Sequence, residues 1–456
     1  MTDAPENLES YQQRKERLMQ EMRSAAVGEG IALDKKTSNL FRHYGPQAQN
    51  KLNVRDFNHV LKVNKEEGWI EVEGMTQYYD LVKEALKYDV MPTVVPQLRS
   101  ITIGGATSGV GIEATSFKYG LVHETIQEMD ILLSNGEVIT ATPINEHKDI
   151  FFGMPNSYGT LGYILKLKVK AIPVKKYVHV QHIRYNSYAE LVEGIKKHTL
   201  DTSIDFLDGV VFSEQEMYLS LGKFTNEAPY ASDYTDKNIY YRSIKKNTED
   251  YLTTHDYIWR WDTDWFWCSK NLYMQNPLIR RIVGKERLNS IFYTKIMRFN
   301  AKWKISEKIE KLLGRHSESV IQDVDIPIEN VETYLHFFAK EIGITPVWVC
   351  PMKRYDGNAN FALFPMEAGK LHVNIGFWDV VPLSEAKPEG YVNKKVEDKV
   401  GELHGIKSLY SSVFYNAQTF WKIYNKETYD HLKQKYDEAK KLPNLYDAVV
   451  KKPNRR

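Results

Sequence analysis

Apolar residues recur along this chain in two rhythms, every second position and every third or fourth, and the switches between them mark most elements. Phe57–Val63 and Trp69–Val72 alternate as strands about the polar turn Asn64–Gly68. Thr76–Tyr88 carries a helical stripe of Tyr79, Leu81, Val82 and Leu86. Met91–Pro96 is extended, because a residue before proline avoids the α region. Ile126–Thr142 reads as two strands joined at Asn135-Gly136, the strongest short hairpin signal. A short helix over Glu146–Gly153 follows, then a strand over Ile164–Ile172 that alternates at Leu165, Leu167, Val169 and Ala171.

From about Pro173 a second set begins. Tyr177–Tyr185 reads as strand, Ser187–His198 as helix, and Asp208–Leu221 as a hairpin around Glu214-Gln215. Later come the strand Gln322–Pro327, the helix Glu329–Ile342, and strands over Pro346–Pro351 and Lys370–Phe377. The tail from Gly390 to Val450 is mainly helical, with a strand over Ser408–Phe414. At the other end Asn7–Ala26 is strongly charged, with Leu8, Leu18, Met19 and Met22 as its apolar residues, and reads as a solvated helix.

Two segments break the rhythm with glycine and hydroxyl residues. Arg99–His123 holds Gly104, Gly105, Gly109, Gly111 and Gly120 among Thr102, Ser108, Thr115 and Ser116. Asn156–Gly162 is a second such loop, containing Gly159, Thr160 and Gly162. Glycines let main-chain N–H groups approach a ligand closely, and hydroxyls add donors for phosphate oxygens. Two loops around one mixed unit are suited to gripping two parts of one phosphorylated cofactor. Gly109-x-Gly111-x-x-Ala114 matches the dinucleotide fingerprint, but that motif needs a long helix and then a parallel strand. Tyr119-Gly120 stops any helix and a hairpin follows, so the Rossmann reading is set aside.

Composition changes the picture in one place. The chain has 456 residues, 42% hydrophobic and 26% charged, with a net charge of +2, ordinary values for a folded protein of two or three domains. General nucleic-acid affinity is not implied. Between Phe266 and Arg315, however, 12 Lys/Arg stand against 3 Asp/Glu, a local +9 that leaves the remainder at 2 − 9 = −7. The adjoining stretch carries Trp259, Trp261, Trp265, Trp267 and Trp303. Such a mixture packs as helices with snorkelling cations, or meets a membrane surface. Two cysteines, Cys268 and Cys350, support neither a disulfide framework nor a metal site. The first residues lack signal-peptide features and no apolar run is long enough to span a bilayer, so a cytoplasmic location is expected.

With the loops placed, the chain resembles the flavoproteins of the vanillyl-alcohol oxidase/p-cresol methylhydroxylase superfamily. Ile103-Gly104-Gly105, Gly109-x-Gly111, Thr115-Ser116, Tyr119-Gly120 and Gly159-x-x-Gly162 carry that likeness. Gly111–Leu121, Ile172-Pro-Val-Lys-Lys-Tyr177, Pro346-Val-Trp-Val-Cys-Pro351, Phe420-Trp421 and Leu442-Pro-x-x-Tyr446 resemble, more narrowly, the Δ24-sterol reductases, from about Phe57 onward. The likeness also extends to soluble bacterial relatives that reduce a double bond in a methylene-branched fatty acyl chain. Animal sterol reductases have an N-terminal membrane segment, which is not expected here, and His where this chain has Phe117.

The resemblance implies an α+β fold: a two-subdomain FAD-binding domain of the p-cresol methylhydroxylase type over residues 1–174, and an α/β cap domain over 175–410 with a helical insertion at about 240–315. Residues 411–456 would return toward the flavin. FAD, bound non-covalently, would contact Asn39, Arg42, Pro96, Thr102, Ile103, Gly104, Gly105, Ser108, Gly109, Gly111, Ile112, Thr115, Ser116, Tyr119, Gly120, Asn156, Gly159, Thr160, Gly162 and Ile164. NADPH is the implied donor and a lipid carbon–carbon double bond the implied substrate. Tyr415 and His404 are candidate proton donors, with Asn416 orienting. Residues 257–303 form an expected lipid entrance and membrane contact. Oxidation of an alcohol or 2-hydroxy acid, and a non-catalytic flavin- or lipid-binding protein, are the alternatives.

Overall fold

The computed structural model describes residues 9–26, 30–35, 50–303, 308, 310, 312–354, 356–357 and 359–450. Its strands, in chain order, are β1 (Ile31–Asp34), β2 (Asn50–Asn53), β3 (Val60–Asn64), β4 (Trp69–Glu73), β5 (Val90–Pro92), β6 (Ile126–Leu132), β7 (Val138–Ala141), β8 (Tyr163–Pro173), β9 (Tyr177–Tyr185), β10 (Phe206–Ser213), β11 (Glu216–Thr225), β12 (Glu249–Thr253), β13 (His316–Pro327), β14 (Val347–Lys353), β15 (Leu371–Leu383) and β16 (Ile406–Lys407).

Three sheets result. β1 and β2 form a small parallel pair. A first large sheet runs β3-β4-β8-β6-β7, with β5 against the far end of β8, and all its pairs are antiparallel. The second runs β12-β9-β11-β10-β14-β15-β13-β16, also antiparallel throughout. Three residues, Val174–Lys176, separate the last strand of one sheet from the first of the next. This is an α+β architecture, with helices set against antiparallel sheets.

Period-two alternation decides what each face of the second sheet meets. Val211, Val349, Ile375, Phe377 and Val324 point to one face and pack under the helices Tyr188–His198, Val331–Glu341 and Tyr391–Glu402. The other face turns toward the glycine-rich segment and the tryptophan-rich one.

Two expectations change. The N-terminal helix, Tyr11–Ser24, is not solvated: Arg14, Leu18 and Met22 lie along one face and are buried. Arg14 pairs with buried Glu73, and the Tyr11 hydroxyl donates to Asp130 at 2.7 Å. None of Ser408–Phe414 joins a strand: a two-residue strand precedes it at Ile406–Lys407, and within the stretch Val413 forms an isolated bridge to Val450. The tail's helices meet the first sheet's layer, where Lys433 donates to the Thr160 carbonyl at 2.7 Å and Tyr436 to Asp149 at 2.6 Å.

Candidate functional site

The glycine-rich segment is a helix before it is a loop. Ile103–Gly109 forms two turns, with Thr102 as N-cap accepting from the Gly105 N–H. Gly104 is required by close approach, since a Cβ there would lie 2.7 Å from the Gly74 carbonyl oxygen. The Ile103 and Gly104 N–H groups donate to Thr76 and Gly74 carbonyls, so these two are engaged by the chain itself rather than forming an open nest. Gly111 sits against Pro96 and Val122, and Gly120 (φ +77°) turns the chain after the short helix Ser116–Tyr119.

The two glycine/hydroxyl loops are stitched together. The Tyr158 N–H donates to the Ser108 carbonyl at 3.0 Å, and the Tyr158 hydroxyl to Gly109 at 2.8 Å. Ser108 Oγ in turn donates to Gly104, and Ser116 Oγ accepts from the Glu113 N–H. At the junction three buried polar atoms have no protein partner: Thr115 Oγ1, Asn156 Oδ1 and Ser157 Oγ. Buried polar atoms left without partners are costly, so such a group at two adjoining loops marks a place for a polar ligand. Ile112, Tyr119, Gly159 and Gly162 lie in the same two loops, and Ile164 opens β8 behind them. Thr160 instead donates to the Ser157 carbonyl and closes its own turn. Asn39 and Arg42 lie outside the described residues.

Opposite these loops, register assembles a polar row across six adjacent strands of the second sheet. His182 (β9) pairs with Ser220 (β11), and Ser220 with Asp208 (β10). Asp208 is one step from the Gly209–Val349 pair, hence beside Cys350 (β14). Cys350 pairs with Asn374 (β15), and Asn374 with Asp325 (β13). Cross-strand neighbours of this kind lie about 5 Å apart. A backbone bond from the Leu207 N–H to the Ala114 carbonyl, 2.8 Å, ties this sheet directly to the glycine-rich loop.

Two clusters stand out on that face. In the first, buried Arg260 donates to Asp208 Oδ2 at 2.7 Å, and the indole N–H groups of Trp261 and Trp348 reach the same oxygen at 3.0 and 3.1 Å. Glu113, from the loop, lies 3.4 Å from Arg260 and accepts from Gln97. Burial pushes its carboxyl up to about 8 despite that guanidinium. In the second cluster, Trp378 Nε1 donates to the Tyr410 hydroxyl at 2.8 Å, and Tyr410 bonds Asp323. The other oxygen, Asp323 Oδ1, has no partner and occupies the room left by the absent side chain of Gly376, where a Cβ would be 2.5 Å away. Asn374 donates to Asp325 Oδ1 at 2.7 Å. Burial pushes Asp323 up to about 7 and Asp325 up to about 8, the latter raised further by Asp323. Tyr158 of the second loop is close enough to Tyr410 to bear on its charge.

The residues expected from sequence as proton donors and orienting group, Tyr415, His404 and Asn416, lie in the C-terminal part of the chain. Asn416 is exposed and caps the helix Ala417–Ile423, accepting from the Thr419 N–H at 2.8 Å. His404 is exposed in a left-handed turn (φ 55°) after the helix Tyr391–Glu402. Tyr415 is buried near Glu397 and Tyr424, and Tyr424 in turn is close enough to Asp325 and Tyr158 to feel their charge. The groups that sequence reading missed, Asp323 and Asp325, had one signal. Two carboxylates two residues apart in a predicted strand share a face, and here that face is interior.

Of the five tryptophans in the aromatic stretch, Trp303 alone is exposed. Trp259, Trp261, Trp265 and Trp267 are buried; Trp261 stacks on Phe266 (5.2 Å), which meets Trp378 at 4.7 Å. They wall the site rather than anchor in lipid. Phe117 is buried in the helix-covered core, and nearby His123 is enclosed by Phe361 and Phe364, its imidazole pushed down to about 3 by burial and by Arg354.

A glycine-stitched pair of loops faces a buried polar sheet and leaves polar atoms open for a ligand, and the comparisons name a cofactor class for this part of the chain. The family model for the FAD binding domain matches residues 36–142. Its relatives include the Δ24-sterol reductase of Homo sapiens, 24% identical over 413 residues, or 86% of this chain and 76% of that protein. The Arabidopsis thaliana Δ24-sterol reductase is 24% identical over 430 residues, 85% and 74% of the two chains. Cytokinin dehydrogenase 10 of Oryza sativa subsp. japonica is 26% identical over 157 residues, 34% of this chain and 28% of its own.

Proposed function

We propose that this protein is an FAD-dependent reductase of an isolated carbon–carbon double bond in a lipid, a sterol side chain or an unsaturated or methylene-branched acyl chain, with NADPH as donor. The observation that carries the reading is Asp323, half-buried, raised to about 7, and holding one oxygen free on the face toward the loops. An isolated alkene has no oxygen on which charge can settle, so reduction requires an acid that delivers a proton to carbon. A carboxyl kept neutral near pH 7 is such an acid. With Tyr410 bonding Asp323, the partnerless Oδ1 would be the oxygen that gives up the proton. Asp325, raised to about 8 and held by Asn374, stays neutral beside it and spares the pair a second buried charge. Trp348, Trp378 and Phe266 give the face an aromatic wall that excludes water.

Thr115, Asn156 and Ser157 would hold FAD, with Tyr158 fixing the loops around it. When bound, FAD supplies the hydride chemistry. The relatives' description as Δ24-sterol reductases supports the substrate class. Oxidation of a 2-hydroxy acid would need a cation for its carboxylate, and Arg260 is already held by Asp208.

An anaerobic titration tests the reading. NADPH should bleach the flavin band of the FAD-loaded protein, and an unsaturated sterol or methylene-branched acyl lipid should restore it. A band indifferent to NADPH but bleached by a small alcohol, with hydrogen peroxide produced in air, would replace the reductase with an oxidase.

A further inference from the structure

The basic excess found in the sequence is not explained by the site. Between Pro277 and Trp303 seven basic residues stand against one acidic, Glu286. Two helices here are fixed by inward polar residues, Ser290 at the start of the second bonding buried Asp262. In Pro277–Val283, buried Arg280 donates to the carbonyls of Tyr234 and Asp236. Leu278 and Ile282 stand two residues either side of it, and at about 100° per residue both point the opposite way. In Ser290–Trp303, buried Tyr293 donates to the Thr263 carbonyl at 2.8 Å. Phe299 and Trp303 lie one turn apart on an outer face, with Lys295 and Lys302 beside them. Leu278, Ile282, Phe299 and Trp303 are 67%, 74%, 60% and 53% exposed.

We propose that these outward side chains of the two helices dock the protein on an anionic lipid surface. Large apolar side chains held in water by well-anchored helices, mixed with cations, match the chemistry of a membrane interface, where acyl chains take the first and lipid phosphates or carboxylates the second. Lys302 lies over the Trp303 ring with Nζ 5.7 Å from its centroid, so its charge stays at the height of headgroups while the ring enters. A second copy is a poorer occupant, because a two-fold contact would set two basic faces against each other. Nucleic acid is a poorer match: Phe299 and Trp303 could stack on bases, but Leu278 and Ile282 would stay exposed to water, whereas acyl chains would cover all four. The docking face does not depend on the reaction proposed above.

Co-sedimentation of the full FAD-loaded chain with phosphatidylcholine vesicles, with and without phosphatidylserine, tests it. Binding should be about tenfold stronger with phosphatidylserine and should weaken in high salt. L278E/I282E and F299E/W303E should each lower it about tenfold, and K295E/K302E should abolish the phosphatidylserine preference. All are surface changes, so far-UV circular dichroism and flavin content should match the parent. Equal binding to both vesicles, or binding that survives these substitutions, overturns the proposal. A concentration-dependent dimer dispersed by F299E/W303E, without vesicle binding, would assign the face to a second copy instead. Because no substrate is present, failure here leaves the reductase reading untouched, and failure of the NADPH titration leaves this one standing.

Discussion

Neighbouring residues on the central strands of the second sheet live in opposite surroundings. Val324, Val349, Ile375 and Phe377 are wholly enclosed by aliphatic and aromatic side chains under three helices. One residue away along the same strands, Asp323, Asp325, Cys350 and Asn374 face the glycine-rich loops, with carboxyls raised by burial and polar atoms left without partners. The two faces share their backbone hydrogen bonds, so what differs is only which alternate residue the pleat presents. Stability is concentrated on one side and chemistry on the other, an arrangement in which most polar-face substitutions should change rate before they change folding.

The sharpest way to break that comparison is on the polar face. Asp323→Asn keeps the shape and the Tyr410 contact but removes the transferable proton. Turnover of the unsaturated lipid should fall about 10³-fold, within the range for loss of a general acid, while NADPH still bleaches the flavin at the parent rate. Equal loss in both half-reactions would mean the residue supports the fold instead. On the apolar face Ile375→Ala should do the reverse. It deletes a fully buried side chain and should cost about 3 kcal/mol in urea unfolding, with turnover per folded molecule within about twofold of the parent.

The pH dependence sharpens the same contrast. Asp323 and Asp325 titrate higher in the fold than in an unfolded chain, so the native state binds more protons at intermediate pH. Their contribution to stability is complete below about pH 4 and is lost as pH rises through about 7 and 8. Melting temperature should therefore fall from pH 5 to pH 9, and Asp325→Asn should flatten the fall. Turnover should decline above pH 7 to 8, a limb absent from the Asp323→Asn profile. A profile flat through that window would remove the acid from the mechanism.

Much of this was legible in the residues, for a physical reason that also explains what was not. Tyr177–Tyr185 and the hairpin around Glu214-Gln215 alternate cleanly because each has one face in a core, and the strands form where the pattern puts them. The two glycine/hydroxyl loops announced themselves by composition, and Tyr158 joins them. The polar row was invisible, because it comes from the register of six strands drawn from distant parts of the chain. Asp323 and Asp325 flank Val324 in what alternation makes a strand, but sequence does not say whether their face is wet. Likewise Trp259–Trp267 looks like a membrane anchor until the sheet that buries it is in place.

Asn416 offers the smallest effect and the cleanest separation between the two kinds of evidence. By resemblance it would orient substrate beside the flavin; by geometry it is a helix N-cap, exposed, accepting from the Thr419 N–H. An N-cap changed to alanine costs about 1 kcal/mol, so Asn416→Ala should lower stability by that amount in urea unfolding while KM for the lipid and the rate of flavin reoxidation stay at parent values. Asn416→Ser, which can still accept that bond, should recover most of the stability. If instead Asn416→Ser unfolds like the parent but raises KM severalfold, the side chain touches substrate, and the tail of the chain reaches nearer the polar face than its hydrogen bonds indicate.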